Sequence, residues 1–544
     1  MRRPLLPTVV AALCLLATPA AAVPLGDSDM SLVYRVQHSR MSPLSLNDLT
    51  AQDVAFFDQR LRMDAITGLS ATGKGGPVRI ILQADILDGV LFGDNGSFVG
   101  TPRRNRGSFI AARSPNLART RIGLIDPNGS TLDRDNYGLV LEEAEPIRFN
   151  HIYGEASLPF GLLRAGRQPL SGGRSTLVHS GEALNRWGVS KAHDSADGIT
   201  FATKLSAIAD AIAGRPIDKR KDGGLFLGML FGQVVEQTPQ DNSDLFQLAS
   251  TLFYQEHNRV VLGRKLERLW LSFVHSYRFD EVFDTDVHSL NAGVEFQGRY
   301  IRFVFHHTRM FGQSREVAEA LALLGRAGDP DATQKLNSFG GLGEIALRLG
   351  SVELSFELFY ASGDDDPGVD SPITQLTQAE DNNVGLHLFE NVLAYQTARS
   401  AALGVEALKP LGASTYPVNA ISTRGAIQNT IAYFPQVLVT ATSWLSLRAG
   451  VLFAFTHKPS VDQIGTTLNS DGATNEDDLV NFAGGEPGDY WGTEYDLGLT
   501  LSPVDGFSLD LEAAYLQPGN ALEDEHGDAV DSTFTGVRLT YRTQ

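Results

Sequence analysis

Apolar side chains recur at every second position along much of this 544-residue chain. In Phe507-Ser-Leu-Asp-Leu-Glu-Ala-Ala-Tyr515, one parity is apolar and aromatic. The other carries Ser508, Asp510, Glu512 and Ala514. The stretches 301–306, 352–358 and 445–451 repeat the arrangement, and 32–38, 56–70 and 532–543 also read as strands. A period of two belongs to strands with unlike faces; a helix would repeat every 3.6 residues. Only 205–213 and 315–326 read as helices, both in connections. The uncharged run 425–447 contains Gln428, Asn429, Pro435 and Gln436, which suits a membrane helix poorly. It reads instead as two strands meeting near Ser443.

The connections sort by length. Pro159-Phe-Gly161, Gly298, Ser351 and Ser502-Pro-Val-Asp-Gly506 mark tight turns. Between them lie the long links 93–145, 171–197, 312–339, 364–424 and 459–489. A soluble sandwich has no reason to sort its loops by end, whereas an outer-membrane barrel does. The expected fold is therefore all-β: a transmembrane antiparallel up-and-down β-barrel with short periplasmic turns and long outer loops. The count is about 18 strands, or about 16 if one hairpin is misread. Phe507 and Tyr515 share a face and lie roughly 27 Å apart along a strand. Tilted, that spans most of an apolar band about 25 Å tall. Both aromatics read as interfacial girdle residues, with Trp444, Phe455 and Tyr541.

The N-terminus reads as an export signal: Arg2 and Arg3, an apolar run over 9–16, then Pro19 and Ala20-Ala-Ala22. Residues 1–22 are expected to be cleaved, leaving 23–544 as one barrel domain. Cys14 raises a lipoprotein reading, but Ala11 stands at −3 and the better cleavage site lies downstream. Cys14 is the only cysteine, so the mature chain has no disulfide and no thiolate site. A closed sheet is another way to hold such a chain together. The net charge of −19 argues against nucleic-acid binding.

Catalytic and cofactor motifs fail on context. Gly68–Gly75 resembles a phosphate-binding loop, but Gly75 replaces the magnesium-binding Ser or Thr at a predicted turn. Gly341-Leu-Gly-Glu-Ile-Ala346 falls on a strand start instead of a strand-to-helix turn. His179-Ser-Gly181 lacks the spacing of a nucleophile elbow. His306 and His307 are adjacent on a strand and point to opposite faces. Neither an enzymatic reaction, a cofactor nor a resident metal is expected. Acidic runs at 364–366, 475–478 and 523–528 fall in outer loops, where solvation explains them better than calcium. The arginine-rich stretch 103–121 suits a constriction, acidic-loop partners or lipopolysaccharide phosphates.

Charges on the parity opposite the apolar stripe point to a wet interior. An Arg facing lipid at mid-membrane would cost about 2–4 kcal/mol. The pore-lining candidates are therefore Arg60, Arg62, Arg164, Arg302, Arg348, Arg448 and Arg538. The acidic ones are Glu353, Glu357, Glu494, Asp496, Asp510 and Glu512. Side chains alone cannot fill a barrel of about 18 strands, so water or an infolded loop must occupy the lumen. The link 364–424, with its apolar Val384-Gly-Leu-His-Leu-Phe389, is the leading plug; 93–145 is the alternative.

Both ends of the chain carry a family resemblance. Trp491-Gly-Thr-Glu-Tyr-Asp-Leu-Gly-Leu499, Leu509-Asp-Leu-Glu-Ala-Ala-Tyr-Leu-Gln-Pro-Gly519, Pro159-Phe-Gly-Leu-Leu-Arg-Ala-Gly-Arg-Gln-Pro169, Phe57-Asp-Gln-Arg-Leu-Arg62 and Leu91-Phe-Gly-Asp94 resemble the alginate-export-type family of bacterial outer-membrane barrels. The resemblance implies a channel barrel, not alginate as solute. One departure is the C-terminus, Tyr541-Arg-Thr-Gln544, where such barrels usually end in an aromatic residue. The expected function is an outer-membrane channel passing small hydrophilic or charged solutes, anionic saccharides among them. Its partners would be membrane lipid and lipopolysaccharide, with no nucleic acid. A closed structural or surface-binding barrel and a secreted soluble β-protein are the alternatives, and the oligomeric state stays open.

Overall fold

The computed structural model describes residues 25–44, 46, 53–69, 78–93, 147–170, 176–178, 185–189, 194–217, 223–234, 245–261, 264–281, 284–315, 332–365, 371–379, 382–397, 423, 425–459, 488–523 and 529–543. Eighteen strands form one sheet. They are β1 (Leu25–Ser42), β2 (Val54–Leu69), β3 (Val78–Gly93), β4 (Ile147–Leu158), β5 (Gly161–Pro169), β6 (Ser195–Lys204), β7 (Gly223–Val234), β8 (Phe246–Val261), β9 (Arg264–Asp280), β10 (Thr285–Gly298), β11 (Ile301–Ser314), β12 (Gln334–Leu349), β13 (Val352–Ala361), β14 (Thr430–Thr442), β15 (Leu445–Thr456), β16 (Tyr490–Leu501), β17 (Phe507–Pro518) and β18 (Ser532–Arg542). Each pairs antiparallel with its neighbours in chain order, and β1 pairs with both β2 and β18. The sheet is thus a closed up-and-down barrel with no free edge.

The two parities of each strand face opposite worlds. Along β16, Glu494 and Asp496 are 0% and 1% exposed, while Tyr495 and Leu497 are 44% and 61% exposed. β17 repeats this, with Asp510 and Glu512 buried and Leu511 exposed. Exposed apolar side chains cover the exterior: Ile147, Phe149 and Ile152 on β4, Phe303 and Phe305 on β11, Leu354, Phe356 and Leu358 on β13. A continuous band of this kind exceeds what water-soluble monomers tolerate. Trp444, Phe455 and Tyr541 lie exposed near strand ends, as girdle positions require. Among the described residues no helix is long and apolar enough to cross a membrane.

The connections sort as the sequence implies. Two residues each join β4 to β5, β10 to β11, β12 to β13 and β14 to β15, all at one end. The opposite end carries 170–194, 315–333, 362–429 and 457–489. Several strands outrun their apolar stripe, so the links are shorter than expected: β6 starts at Ser195, β11 runs to Ser314 and β12 starts at Gln334. The polar tips of these strands hide the alternation. The predicted helix 205–213 forms as α1 (Leu205–Ile212) between β6 and β7. The predicted helix 315–326 lies, beyond Arg315, outside the described residues, as do 1–24 and 94–146. Gly341 and Gly343 sit within β12, hydrogen-bonded into the barrel wall.

Candidate functional site

Among the described residues, outer-end connections fold back into the barrel, and two of them build the site. The first follows β13. Its backbone is stitched to β12 by Ile373 N–H to the Lys335 carbonyl (2.7 Å) and Asn337 N–H to the Ile373 carbonyl (2.9 Å), and to itself by Gln378 N–H to the Ile427 carbonyl (2.9 Å). It then dives inward through Val384-Gly-Leu-His-Leu-Phe389 and forms the π-helical turn Leu388–Leu393. Glu494 of β16 receives this turn. Its carboxylate accepts the backbone N–H groups of Leu386 (2.6 Å), His387 (2.9 Å) and Leu388 (2.5 Å). A carboxylate at a helical N-terminus satisfies orphan donors and meets the positive end of the local dipole. Gly385 makes the approach possible. Its φ is +74°, and a Cβ there would stand 2.6 Å from the Glu494 oxygen.

The turn packs Leu388, Phe389, Val392 and Leu393 against a dry bed of Phe434, Leu452, Trp491, Leu516 and Phe534 on β14–β18. These wall residues point inward, so part of the interior parity is apolar where the sequence reading took it as charged and wet. The bed faces the infolded segment, not water. Burial pushes the His387 imidazole down to about 3. An undocked imidazole takes up its proton near pH 6.5, so docking is expected to weaken as pH falls from about 6.5 toward 3. Channel recordings should show openings growing more frequent over that window. His387→Gln should flatten the rise.

The second infolded connection is 185–189, between β5 and β6. Arg186 pairs with Glu344 (2.9 Å), Glu353 (3.2 Å) and Glu357 (3.7 Å). Trp187 Nε1 donates to Gln436 (2.9 Å), and Gly188 N–H donates to Glu512 (3.2 Å). The Asn383 amide clasps the Trp187 and Val189 carbonyls at 3.2 and 3.3 Å, tying this finger to the first segment.

Every pore-lining candidate points into the barrel, but they part into three settings. On β1–β5, Arg62 grips Asp85 (2.7 and 2.9 Å) beside Arg148 and buried Arg60. Arg164 shares Glu155 with Arg79. On β11–β13, Arg302 and Arg348 join Arg186 around Glu344, Glu353 and Glu357. On β15–β18, Arg448 and Arg538 bracket Asp510 and Glu512, with Arg448 lying 5.2 Å from the Trp187 ring. Glu494 and Asp496 lie sealed under the infolded turn.

Among the described residues, the space left open lies on the other side. A cavity of about 300 Å³ runs along β5–β11, bounded by Leu177 and Val178 of one connection and Thr377 of the other. Its wall carries Gln168, Thr200, Gln247, Thr251, Ser272, Ser276, Ser289 and Asn291. Arg164 borders it toward the short-turn end and Arg278 toward the outer end, where Gln247 pairs with Arg278 in register. The described electrostatic partner of Arg278 is Asp194. Of the sequence candidates, only Arg164 borders this cavity. Arg278 and the hydroxyls escaped a reading that searched for charges on apolar-striped strands. Their signal was the polar parity of Gln247, Ala249 and Thr251 in β8 and of Ser272, Val274 and Ser276 in β9.

No family model and no curated protein matches the chain. Solved structures similar to it are outer-membrane proteins. Pseudomonas aeruginosa OpdK with vanillate is 11% identical, with a TM-score of 0.48 over 95% of this chain and 98% of that one. Pseudomonas aeruginosa OccK2 (OpdF) with glucuronate is 11% identical, with a TM-score of 0.45 and the same coverage. Acinetobacter baumannii OccAB1 is 10% identical, with a TM-score of 0.46 over 95% and 96%.

Proposed function

We propose that this chain is an outer-membrane channel passing small, hydrophilic, anionic solutes passively, hydroxylated carboxylates such as sugar acids first among them. The observation that carries the reading is the cavity along β5–β11. Its volume of about 300 Å³ lies at the lower end of small-molecule pockets. Serine and threonine hydroxyls line it, and Arg164 and Arg278 mark its two ends. The hydroxyls replace hydration of the solute, and the arginines bind carboxylate with directed, charge-assisted hydrogen bonds. Across the lumen, the acids Glu344, Glu353, Glu357 and Asp510 are paired with Arg186, Arg302, Arg348, Arg448 and Arg538, so the attraction for anions comes from Arg164 and Arg278 beside the cavity.

Membrane placement rests on the exterior band. Leu511→Arg is expected to cost about 2–4 kcal/mol in a lipid-refolding titration if the leucine faces hydrocarbon. A cost within 0.5 kcal/mol, typical of a watery surface, would remove that support. Residues 1–22 would be the cleaved export signal, and lipopolysaccharide the outer-leaflet neighbour. The alginate-export-type resemblance extends this reading to a related lineage of channels. The test is single-channel recording in a planar bilayer. Discrete conductance with a reversal potential set by the anion gradient is expected. Silence from a heat-modifiable, folded barrel would favour a closed scaffold, and absence of heat-modifiable migration would favour a soluble protein.

A further inference from the structure

The connection from β6 to β7 opens with α1, at the short-turn end of the barrel. Its sequence, Leu205-Ser-Ala-Ile-Ala-Asp-Ala-Ile212, puts Leu205, Ile208 and Ile212 on one helical face. Ala207 lies about 140° round the helix from Ile212. A helix resting on a soluble body turns its large apolar side chains toward that body. Here the order is reversed. Ala207 is the buried residue of the helix, at 4% exposure, whereas Ile212 is 83% exposed. The end of the helix is well fixed. Gly214 takes φ +63°, Arg215 N–H donates to the Asp210 carbonyl (2.8 Å), and the Arg215 guanidinium pairs with the Asp210 carboxylate (3.1 Å).

The lipid-facing surface runs down to this helix. The outward parity of β6 reads Ile199, Phe201, Thr203, and its neighbour β7 exposes Leu225 and Met229. The Phe201 ring lies 6.3 Å from that of Phe160, an exposed residue of the β4–β5 turn. The Thr203 hydroxyl donates to the Phe160 carbonyl (2.5 Å), and α1 begins at Leu205.

We propose that α1 is an interfacial foot, lying in the headgroup layer of the inner leaflet. Ile208 and Ile212 enter the acyl-chain boundary, and Arg215 meets lipid phosphate. The proposal rests on the membrane reading above. Amphipathic helices of this kind sink their apolar face about 5–10 Å into the boundary between headgroups and chains. The Arg215 side chain is 64% exposed, and its aliphatic stem lets the charge reach the phosphate level while the stem stays among apolar groups. A protein partner would have to seat beside Phe160 and Leu225, where acyl chains already lie. The foot fixes the depth of the β6–β7 wall, whose inner face carries Thr200 and Leu230 of the open cavity.

Residues 23–544 contain no cysteine, so single nitroxide labels can be placed at will. The test uses Ile212→Cys, Ser206→Cys and Leu358→Cys, each labelled and reconstituted in vesicles of phosphatidylethanolamine and phosphatidylglycerol. Ser206 is about 120° round the helix from Ile212, and Leu358 belongs to the exposed wall stripe of β13. Power saturation compares collisions with oxygen, which concentrates among acyl chains, and with a water-soluble nickel chelate. The ratio of oxygen to nickel accessibility is expected to exceed unity at Leu358 and Ile212 and to fall below it at Ser206. Heat-modifiable migration checks that each variant is folded. A nickel-dominated Ile212 label beside an oxygen-dominated Leu358 label overturns the foot and leaves the membrane reading intact. A nickel-dominated Leu358 label overturns both. An Ile212 label shielded from both reagents means that protein covers the face, and spin–spin broadening there means a second copy; either overturns the proposal.

Discussion

Glu494→Ala is expected to raise single-channel conductance severalfold, with bursts of a still larger open level. Glu494 holds the infolded turn through three backbone N–H groups at once. Hydrogen bonds to a charged partner contribute about 1.5–3 kcal/mol each, and the donors left behind are buried. The apolar bed of Phe434, Leu452, Trp491 and Phe534 still favours docking, so the segment samples docked and released states. Release leaves an 18-stranded barrel whose interior is too wide for wall side chains to close. Glu494→Gln keeps the shape and one acceptor oxygen, so its conductance should fall between the two. A wild-type current in Glu494→Ala would mean that the apolar bed alone holds the turn. Its measure is the amplitude histogram at fixed voltage, with heat-modifiable migration confirming an intact barrel.

The strand count, the closure and the two faces were legible because each rests on local chemistry repeated many times. The alternation from Phe507 to Tyr515 needs no knowledge of the partner strand, and β17 follows it from Phe507. The plug was legible too, since Val384-Gly-Leu-His-Leu-Phe389 is apolar inside a long polar link and needs a dry neighbour. Its bed was half visible: Val451-Leu-Phe-Ala-Phe455 is apolar on both parities, as a strand with lipid outside and a plug inside must be. What the sequence hides is which charges stay in contact with water. Arg448 and Arg164 look alike by parity. One lies beside Trp187 among Asp510 and Glu512, while the other borders the cavity, because the finger 185–189 docks on β12–β17. That choice depends on a contact between residues more than two hundred positions apart, such as Trp187 with Gln436.

This difference sets the second large effect. Arg278→Glu is expected to convert anion preference to cation preference, and Arg164→Glu to shift it the same way by less. Each reversal changes the local charge by two units beside the open cavity. Arg164 is already partly neutralised by Glu155 at 3.0 Å, whereas the described electrostatic partner of Arg278 is Asp194, near the outer end. At about 0.1 M salt the screening length is about 10 Å, comparable with a narrow lumen, so a single lining charge dominates ion entry. In 1 M KCl the length falls to about 3 Å and the shift should shrink accordingly. Reversal potentials in a KCl gradient read both changes directly. Arg448→Glu separates lining from packing. It strands Glu512 next to a new carboxylate in a buried network, where breaking a pair costs about 3–5 kcal/mol. Its effect should therefore appear as lowered heat stability, with little change of ion preference in the molecules that fold. A reversal potential that moves with Arg448 and not with Arg278 would place the conducting path on the plugged side of the barrel.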